Sequence, residues 1–459
     1  MSSPGSGTVC EPLENHSVKK TTIMSLLFGA ALLSPAGGAT GRPADFGKRW
    51  VRAHPYTLMG LCLTSDEHDV EQYMAAGFTH MLAWKGWRPG ILTPTVARQL
   101  TWFGNIPWID HDQTRAPLVR DYKTVTDGLI AKYPGNVGWL VNDEPTDEEM
   151  EGTGVAVEWI RTKYPDKLVF SNLGGGENYA EHARHFIRVV KPDVMMYDRY
   201  PYNSILQTWS KEDRDEWFDR AATVRREALK AGLPYWAFLH SIDRSKDKRL
   251  LSESNLRMQL FVFLTYGYTG QAYFIYDFGF KGAPALMDAK GEPSHVYRYA
   301  AKANPEVLNI GRAIRFLTST HVFAAPVEGD GPPFVDPKIL PAWEPSTIEN
   351  HPLRSVRILA PGPQRQGLIG TFRDDAGDRY FMLTNLWRKA GATEGSAANT
   401  RLTFRVVLDP TITSIQRLNR VTGQAERLHI EDPAEGLILT LPGGTGDLFK
   451  IDDGEFPGL

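Results

Sequence analysis

The sequence has almost no cysteine. Its 459 residues include two, Cys10 and Cys62, so no disulfide framework holds the fold and its stability must come from buried apolar surface. Cys10 lies ahead of the expected processing point, which leaves Cys62 as a lone core thiol. An excess of one charge is also missing. Lys and Arg number 51 against 54 Asp and Glu, a formal net charge of -3, and such a balance lacks the basic footprint of a nucleic-acid binder. No Gly-x-Ser-x-Gly elbow seats a serine nucleophile. The run Gly174-Gly175-Gly176 is not followed by Lys-Ser or Lys-Thr, which speaks against a phosphate cradle. His111 stands between Asp110 and Asp112 without a second histidine at ligand spacing. Sugar-hydroxyl or structural contacts are expected of it rather than a metal.

Long apolar runs are equally scarce. The stretch 24–33 is apolar but too short to span a bilayer. Lys19 and Lys20 precede it and small residues ending at Ala39 follow, the pattern of a secretory signal. Export to the periplasm or the exterior is therefore expected, with 1–40 as a leader and no membrane insertion after processing.

What is present is rhythm. From about residue 55 short apolar strands alternate with amphipathic helices. Strands are expected at 56–63, 78–84, 106–110, 137–141, 168–171, 193–197, 234–239 and 271–276. Helices are expected at 68–76, 119–132, 155–164, 179–190, 214–231 and 252–266. Pairs such as Ala76-Gly77, Tyr133-Pro134 and Ala231-Gly232 close several of them. Strands separated by helices pair in parallel, and eight such units predict a (β/α)8 TIM barrel over 41–320. A doubly wound open sheet is the alternative, but no Gly-rich loop follows the first strand. Residues 321–366, rich in Pro and Gly, read as a connector. Short strands then follow at 368–373, 380–385, 402–408, 415–419, 437–441 and 448–451, with turns at 375–378 and 421–424. This predicts a C-terminal antiparallel β-sandwich over 367–459.

One stretch organises the rest: Gly138-Trp-Leu-Val-Asn-Asp-Glu-Pro-Thr146. An apolar strand runs into Asn142, Asp143 and Glu144, and Pro145 then ends regular pairing. Strand side chains alternate between faces, so two adjacent carboxyls can share a pocket only where the strand breaks. A plainer reading is a loop in which Asp143 or Thr146 caps the following helix. Active sites of such barrels collect at the C-terminal strand ends, and the other expected tips offer matching groups. Strand two offers Trp84, strand three His111, strand five Asn172 and strand six Asp198 and Tyr200. Strand seven offers His240 and Asp243, and strand eight Tyr276 and Asp277. Carboxyls move protons, amides and His hold hydroxyls, and aromatics stack on rings, which are the needs of glycoside hydrolysis. The 12 Trp and 17 Tyr suit sugar faces as well.

Val141-Asn142-Asp143-Glu144-Pro145 resembles the strand-four tip of barrel glycoside hydrolases, in which such a Glu is the proton donor. The segments 256–260 and 266–276, with Gly291-Glu292-Pro293 and Asn304-Pro305-Glu306-Val307, resemble the last helices and strand of the β-galactosidase-like families. The C-terminal sandwich looks like their usual appendage. The resemblance implies an O-glycosyl hydrolase acting on an oligo- or polysaccharide, with Glu144 as general acid and no organic cofactor or metal. It implies no nucleic-acid partner, and oligomeric state stays open.

The retaining members of that clan carry a second Glu at the tip of strand seven; here the tip reads Trp236-Ala-Phe-Leu-His-Ser241. Three mechanisms stay open. Asp143 and Glu144 could act as in families resembling the β-hexosaminidases, with the substrate's own N-acetyl group as nucleophile. Glu144 and a carboxylate across the pocket, Asp198 or Asp277, could form an inverting pair roughly 6.5–9.5 Å apart. Asp243 could swing in from a loop. Met195-Met196-Tyr197-Asp198 also resembles a sixth-strand tip of chitinase-like barrels, although Leu140 and Asn142 stand where those carry aspartates. Asp143 and Asp198 are the expected partners of Glu144. Trp84, His111, Asn172, Tyr200, His240, Tyr276 and Asp277 are expected to hold the sugar. A glycan-binding protein on a degenerate barrel is the alternative to an enzyme.

Overall fold

The protein is seen in a computed structural model that describes residues 42–62, 69–84, 89–106, 122–201, 210–243, 251–277, 283–327, 334–345, 348, 351–359, 365–389 and 395–459. The leader 1–40, His111 and the loop beyond Asp243 lie outside the described residues.

Eight parallel strands close into a barrel in chain order. They are β1 (Thr57–Cys62), β2 (His80–Ala83), β3 (Trp102–Ile106), β4 (Asn136–Asp143), β5 (Leu168–Leu173), β6 (Val194–Tyr197), β7 (Tyr235–His240) and β8 (Gly270–Phe274). The helices are α1 (Phe46–Ala53) ahead of β1, then α2 (Val70–Ala75), α3 (Pro89–Ala97), α4 (Tyr122–Lys132), α5 (Asp147–Lys163), α6 (Tyr179–Val190), α7 (Lys211–Lys230), α8 (Glu253–Tyr266) and α9 (His295–Ile314). Strand three is displaced from its expected position: it ends at Ile106 rather than beginning there. Its sequence, Trp-Phe-Gly-Asn-Ile, carries Gly and Asn, which are poor strand formers and mask it.

The barrel is filled rather than hollow at its lower end. Phe103, Phe170 and Trp236 meet edge to face inside it, with ring centroids 5.3–5.9 Å apart. Trp50 of α1 packs beneath them, 5.8 Å from Phe103 and 6.2 Å from Trp236. Helix α1 approaches so closely that a β-carbon on Gly47 would lie 1.9 Å from the Asp193 carbonyl oxygen, just ahead of β6. With the N-terminal end plugged, chemistry is confined to the opposite rim.

Two further sheets pack face to face around Phe323, Phe381, Phe404 and Phe449. The strands are β9 (Thr318–Ala325), β10 (Leu353–Leu359), β11 (Gly367–Arg373), β12 (Arg379–Asn385), β13 (Leu402–Leu408), β14 (Ser414–Leu418), β15 (Ala425–His429), β16 (Leu437–Leu441) and β17 (Gly446–Lys450), with a short helix α10 (Ser396–Asn399) between β12 and β13. One sheet has the order β10-β13-β16 and the other β15-β14-β17-β12-β11-β9, all antiparallel. The segment expected to be a connector thus differs: β9 and β10 fall within or overlap 321–366 and complete both sheets. Residues 42–459 form one compact unit.

Helix α8 explains that unity. Every one of its residues is buried, as expected of a helix with protein on all sides. The barrel covers one face, and the second sheet approaches the other closely enough that a β-carbon on Gly370 would lie 2.2 Å from the Thr265 carbonyl oxygen.

Candidate active site

The strand that carries the acidic motif is bulged. Leu140 of β4 pairs with Phe170 of β5, but the next pair is Asp143 with Asn172, so three steps on β4 meet two on β5. Asn142 supplies the extra residue. It adopts a left-handed conformation, φ 54°, tolerable for Asn because its short side chain bonds locally. Its amide turns away from the barrel axis, donating to Thr153 Oγ1 of α5 at 3.1 Å and accepting from the Asp143 N–H at 3.0 Å. Asp143 is thereby rotated to share a face with Asn172, whose Nδ2 donates to Asp143 Oδ1 at 3.1 Å. The plainer capping role falls to Thr146, the N-cap of α5, whose N–H donates to Glu149 Oε2 at 2.9 Å in a capping box, and Asp143 is left for the rim.

Glu144 follows, also with φ 54°, its N–H bonded to the Asn172 carbonyl at 3.0 Å. It is exposed. Its carboxyl hydrogen-bonds that of Asp198, which continues the inward face of β6 beyond Met196. A carboxyl–carboxyl hydrogen bond exists only when one partner is protonated. Burial chiefly, then the Glu144 charge and hydrogen bond and the Asp143 charge, push the Asp198 carboxyl well above the usual range; a hydrogen bond from Tyr200 opposes them. Asp198 accordingly holds a proton more tightly than an ordinary carboxyl.

Tyr200 completes one wall. Burial first and then the Asp198 charge raise its phenol well above its ordinary value, so it stays a neutral donor. Its ring lies 5.6 Å from His240, edge on, and 5.6 Å from Phe274, stacked. His240 is buried, its Nε2–H donating to the Ile242 carbonyl at 2.6 Å, and Gln259 holds its backbone from both sides. Trp84 is buried at the tip of β2 with the barrel-interior side chains.

The structure thus gathers Asp143, Glu144, Asn172, Asp198, Tyr200 and His240 around one rim. Two expected residues fall elsewhere. Tyr276 packs outward, its ring 4.8 Å from Tyr73 and 5.8 Å from Phe78, because alternation ends after Phe274 and Ile275 takes the interior place. Asp277 belongs to the same neighbourhood, its charge raising the Cys62 thiol after burial and acting on Tyr73 and Tyr276. Asp243 is fully buried, with Oδ2 3.3 Å from His295 Nε2 and its N–H on the Pro284 carbonyl. It is held beside α9 by His295 and Pro284 rather than carried on a loop that swings in.

No protein-family profile matches the sequence, and no curated protein matches it. Solved structures resemble the chain distantly. A thermostable GH51 α-L-arabinofuranosidase from Thermotoga petrophila is 9% identical, with TM-score 0.43, over 87% of this chain and 96% of that one. A Thermobacillus composti GH10 xylanase is 13% identical, with TM-score 0.38, over 55% and 98%. Bacteroides uniformis β-glucuronidase 2 is 11% identical, with TM-score 0.39, over 84% and 46%. Likeness of this degree decides neither family nor activity.

Three residues near the acids carry no obvious signal in the sequence. Gly174, part of the run set aside above as a phosphate cradle, lies flat against the acid: a β-carbon there would be 2.8 Å from Glu144 Cβ and 3.1 Å from Cγ. Tyr179, at the start of α6, feels the charges of Asp198 and Glu144. Arg220 of α7 lies 3.7 Å over the Tyr179 ring and donates to the Gly176 carbonyl at 3.3 Å, tying the glycine turn to two helices.

Proposed function

We propose that the protein is an exported glycoside hydrolase that cleaves a glycosidic bond in an oligo- or polysaccharide, with Glu144 as general acid. The observation that carries this reading is the hydrogen-bonded series Glu144–Asp198–Tyr200 beside Asp143 on the barrel rim. Glu144 is the member open to solvent and so the one able to reach a leaving-group oxygen. Asp198, half-buried behind it and with its carboxyl raised above the usual range, can return a proton to Glu144 as the substrate displaces water. Departure of the leaving group builds positive charge on the sugar, which the Asp143 carboxylate, held by Asn172, is placed to stabilise.

The nucleophile in this reading is the substrate's own acetamido group. Asp198 and Glu144 act on one another directly, whereas the two carboxyls of a retaining pair stand roughly 5–5.5 Å apart and those of an inverting pair 6.5–9.5 Å. Asp277 belongs to another neighbourhood, and Asp243 is paired with His295. Assistance by the substrate's own acetamido group, oriented by Asp143, needs no further carboxylate. The buried Asn172 Oδ1, without a hydrogen-bond partner among the described residues, is an acceptor suited to a substrate N–H or O–H.

Glu144→Gln tests the reading. Turnover of aryl glycosides should fall by about 100-fold or more while sugar binding persists; a wild type with binding but no turnover would favour the glycan-binding alternative, which the His240 tip of β7 supports. Aryl glycosides with and without a 2-acetamido group separate substrate assistance from attack by water. The processed N-terminus of exported protein checks the leader.

A further inference from the structure

The two-sheet domain carries a cleft of about 460 Å³ at the end of the β10–β13 pair, remote in sequence from the acids of the barrel rim. Its described lining includes Arg365, Arg401, Trp387, Asn399 and Thr403 and no acidic residue. Its size is that of ordinary small-ligand sites, but its polarity is not. Arg401 is exposed and makes no ion pair among the described residues. The Arg365 guanidinium lies 4.8 Å over the Trp387 ring, a cation–π contact that adds to the positive character of this wall.

The positive charge continues beyond the cleft. Leu359 and Thr403, which line it, are directly paired across β10 and β13, and two residues along the same strands Arg357 is paired with Arg405. Like charges directly opposite on one sheet face destabilise it. Glu435 offsets Arg405 at 3.1 Å, whereas Arg357 is exposed and makes no ion pair among the described residues. Arg401, immediately ahead of β13, lies on the same face, four residues and roughly 13 Å from Arg405, with Thr403 between them. A fold gains nothing from two arginines placed opposite each other, and in a chain of net charge -3 the cluster is not a by-product of composition. Residues that break a local rule without structural return point to function.

We propose that this cleft and the adjoining arginine face bind an acidic glycan, a polysaccharide segment bearing carboxylates on successive sugars, apart from the barrel site. Guanidinium forks match carboxylates in bidentate fashion, and guanidiniums spread over roughly 13 Å of one face suit a chain of anions rather than a single one. The anionic character rests on the arginines alone; that the ligand is a glycan rests on the reading of the barrel as a carbohydrate site.

The test is calorimetric titration of the processed full-length protein with hexamers of galacturonate, of mannuronate and of hyaluronan, against maltohexaose as a neutral control. Binding of at least one acidic hexamer is expected, weakened by added salt and reduced about tenfold or more by Arg401→Gln and by Arg357→Gln. Both substitutions lie on the surface and should leave hydrolysis of small aryl glycosides unchanged. Glu144→Gln should leave acidic-hexamer binding intact, so failure of the barrel reading and failure of this one are distinguishable. The proposal is overturned if no acidic hexamer binds more tightly than the neutral one, if the arginine variants bind as the wild type does, or if Glu144→Gln abolishes the binding.

Discussion

The carboxyl groups of Glu144 and Asp198 share a hydrogen bond although they come from the tips of β4 and β6, strands that do not touch. Strand β5 lies between them and contributes Asn172 to Asp143. The pair is a property of ring closure and of the bulge at Asn142, and its consequences extend to stability as well as to chemistry.

The first concerns pH. The Asp198 carboxyl holds its proton more tightly in the folded protein than in the unfolded chain, owing first to burial and then to the Glu144 charge. Between the ordinary carboxylate range and that raised value the folded state carries the extra proton, so stability falls as pH rises through the window. It is fully retained only below the unfolded value, about 3.9. Asp198→Asn removes the titration. Its melting temperature should exceed that of the wild type at about pH 8, and the gap should close toward about pH 4. A gap that is constant over this range would disprove the assignment of the proton.

A second consequence follows from the contact between Gly174 and Glu144. A methyl group on Gly174 would meet Glu144 Cβ at 2.8 Å and Cγ at 3.1 Å, whereas Gly175 has nothing within 4 Å of such a group. Gly174→Ala should move the acid by a large fraction of an ångström and lower kcat by about 100-fold, with little change in melting temperature. Gly175→Ala should be indistinguishable from wild type in both, which makes it the internal control.

Much of this architecture is legible in the chain. The apolar run into Asn-Asp-Glu-Pro places β4 and its acids, and the alternation of strands with helices gives the barrel. The strand-six tip is legible because Val194, Met196 and Asp198 keep the period of two. What sequence does not announce is where the period fails. Nothing about Asn142 marks it as the residue that turns left-handed and carries Asp143 inward, and nothing about Ile275 marks it as the residue that displaces Tyr276 to the outer layer. Strand β10 is hidden for a different reason. It lies in a stretch rich in Pro and Gly, and its alternating Leu353-Arg-Ser-Val-Arg-Ile-Leu359 gains its meaning only from pairing with β13. Residues 107–121 lie outside the described residues, and His111 with them.

Asn142 itself is testable. Ala cannot accept from the Asp143 N–H or donate to Thr153, and it resists φ near 54°; Asn142→Ala should cost about 1–3 kcal/mol and lower turnover. Asn142→Gly keeps the backbone conformation at little steric cost and should recover most of the stability, while Thr153→Val removes the tether alone. Chemical denaturation of the three variants ranks these effects, and equal losses for Ala and Gly would show that the side-chain bonds, not the left-handed backbone, matter.

The last prediction concerns the joint between barrel and sandwich. Arg257 of α8 is buried, its Nε donating to Glu253 at 3.0 Å and its two terminal nitrogens to Glu306 of α9 at 2.9 and 3.1 Å. Glu306 also accepts from Arg420, which reaches Asp447 of β17 at 2.7 Å. The series therefore crosses from the barrel helices into the second sheet. Removing one member leaves the others desolvated and unpaired, so Arg257→Met should destabilise the protein by about 3–5 kcal/mol. Replacing two partners together exposes less uncompensated charge than replacing one. Arg257→Met combined with Glu306→Leu should therefore cost less than the sum of the single changes, although Arg420 then depends on Asp447 alone. Denaturant unfolding followed by tryptophan fluorescence and by circular dichroism measures the loss. If the network couples the two parts, the wild type gives one coincident transition by both probes, whereas separate transitions would mean that the barrel and the sandwich unfold independently despite α8.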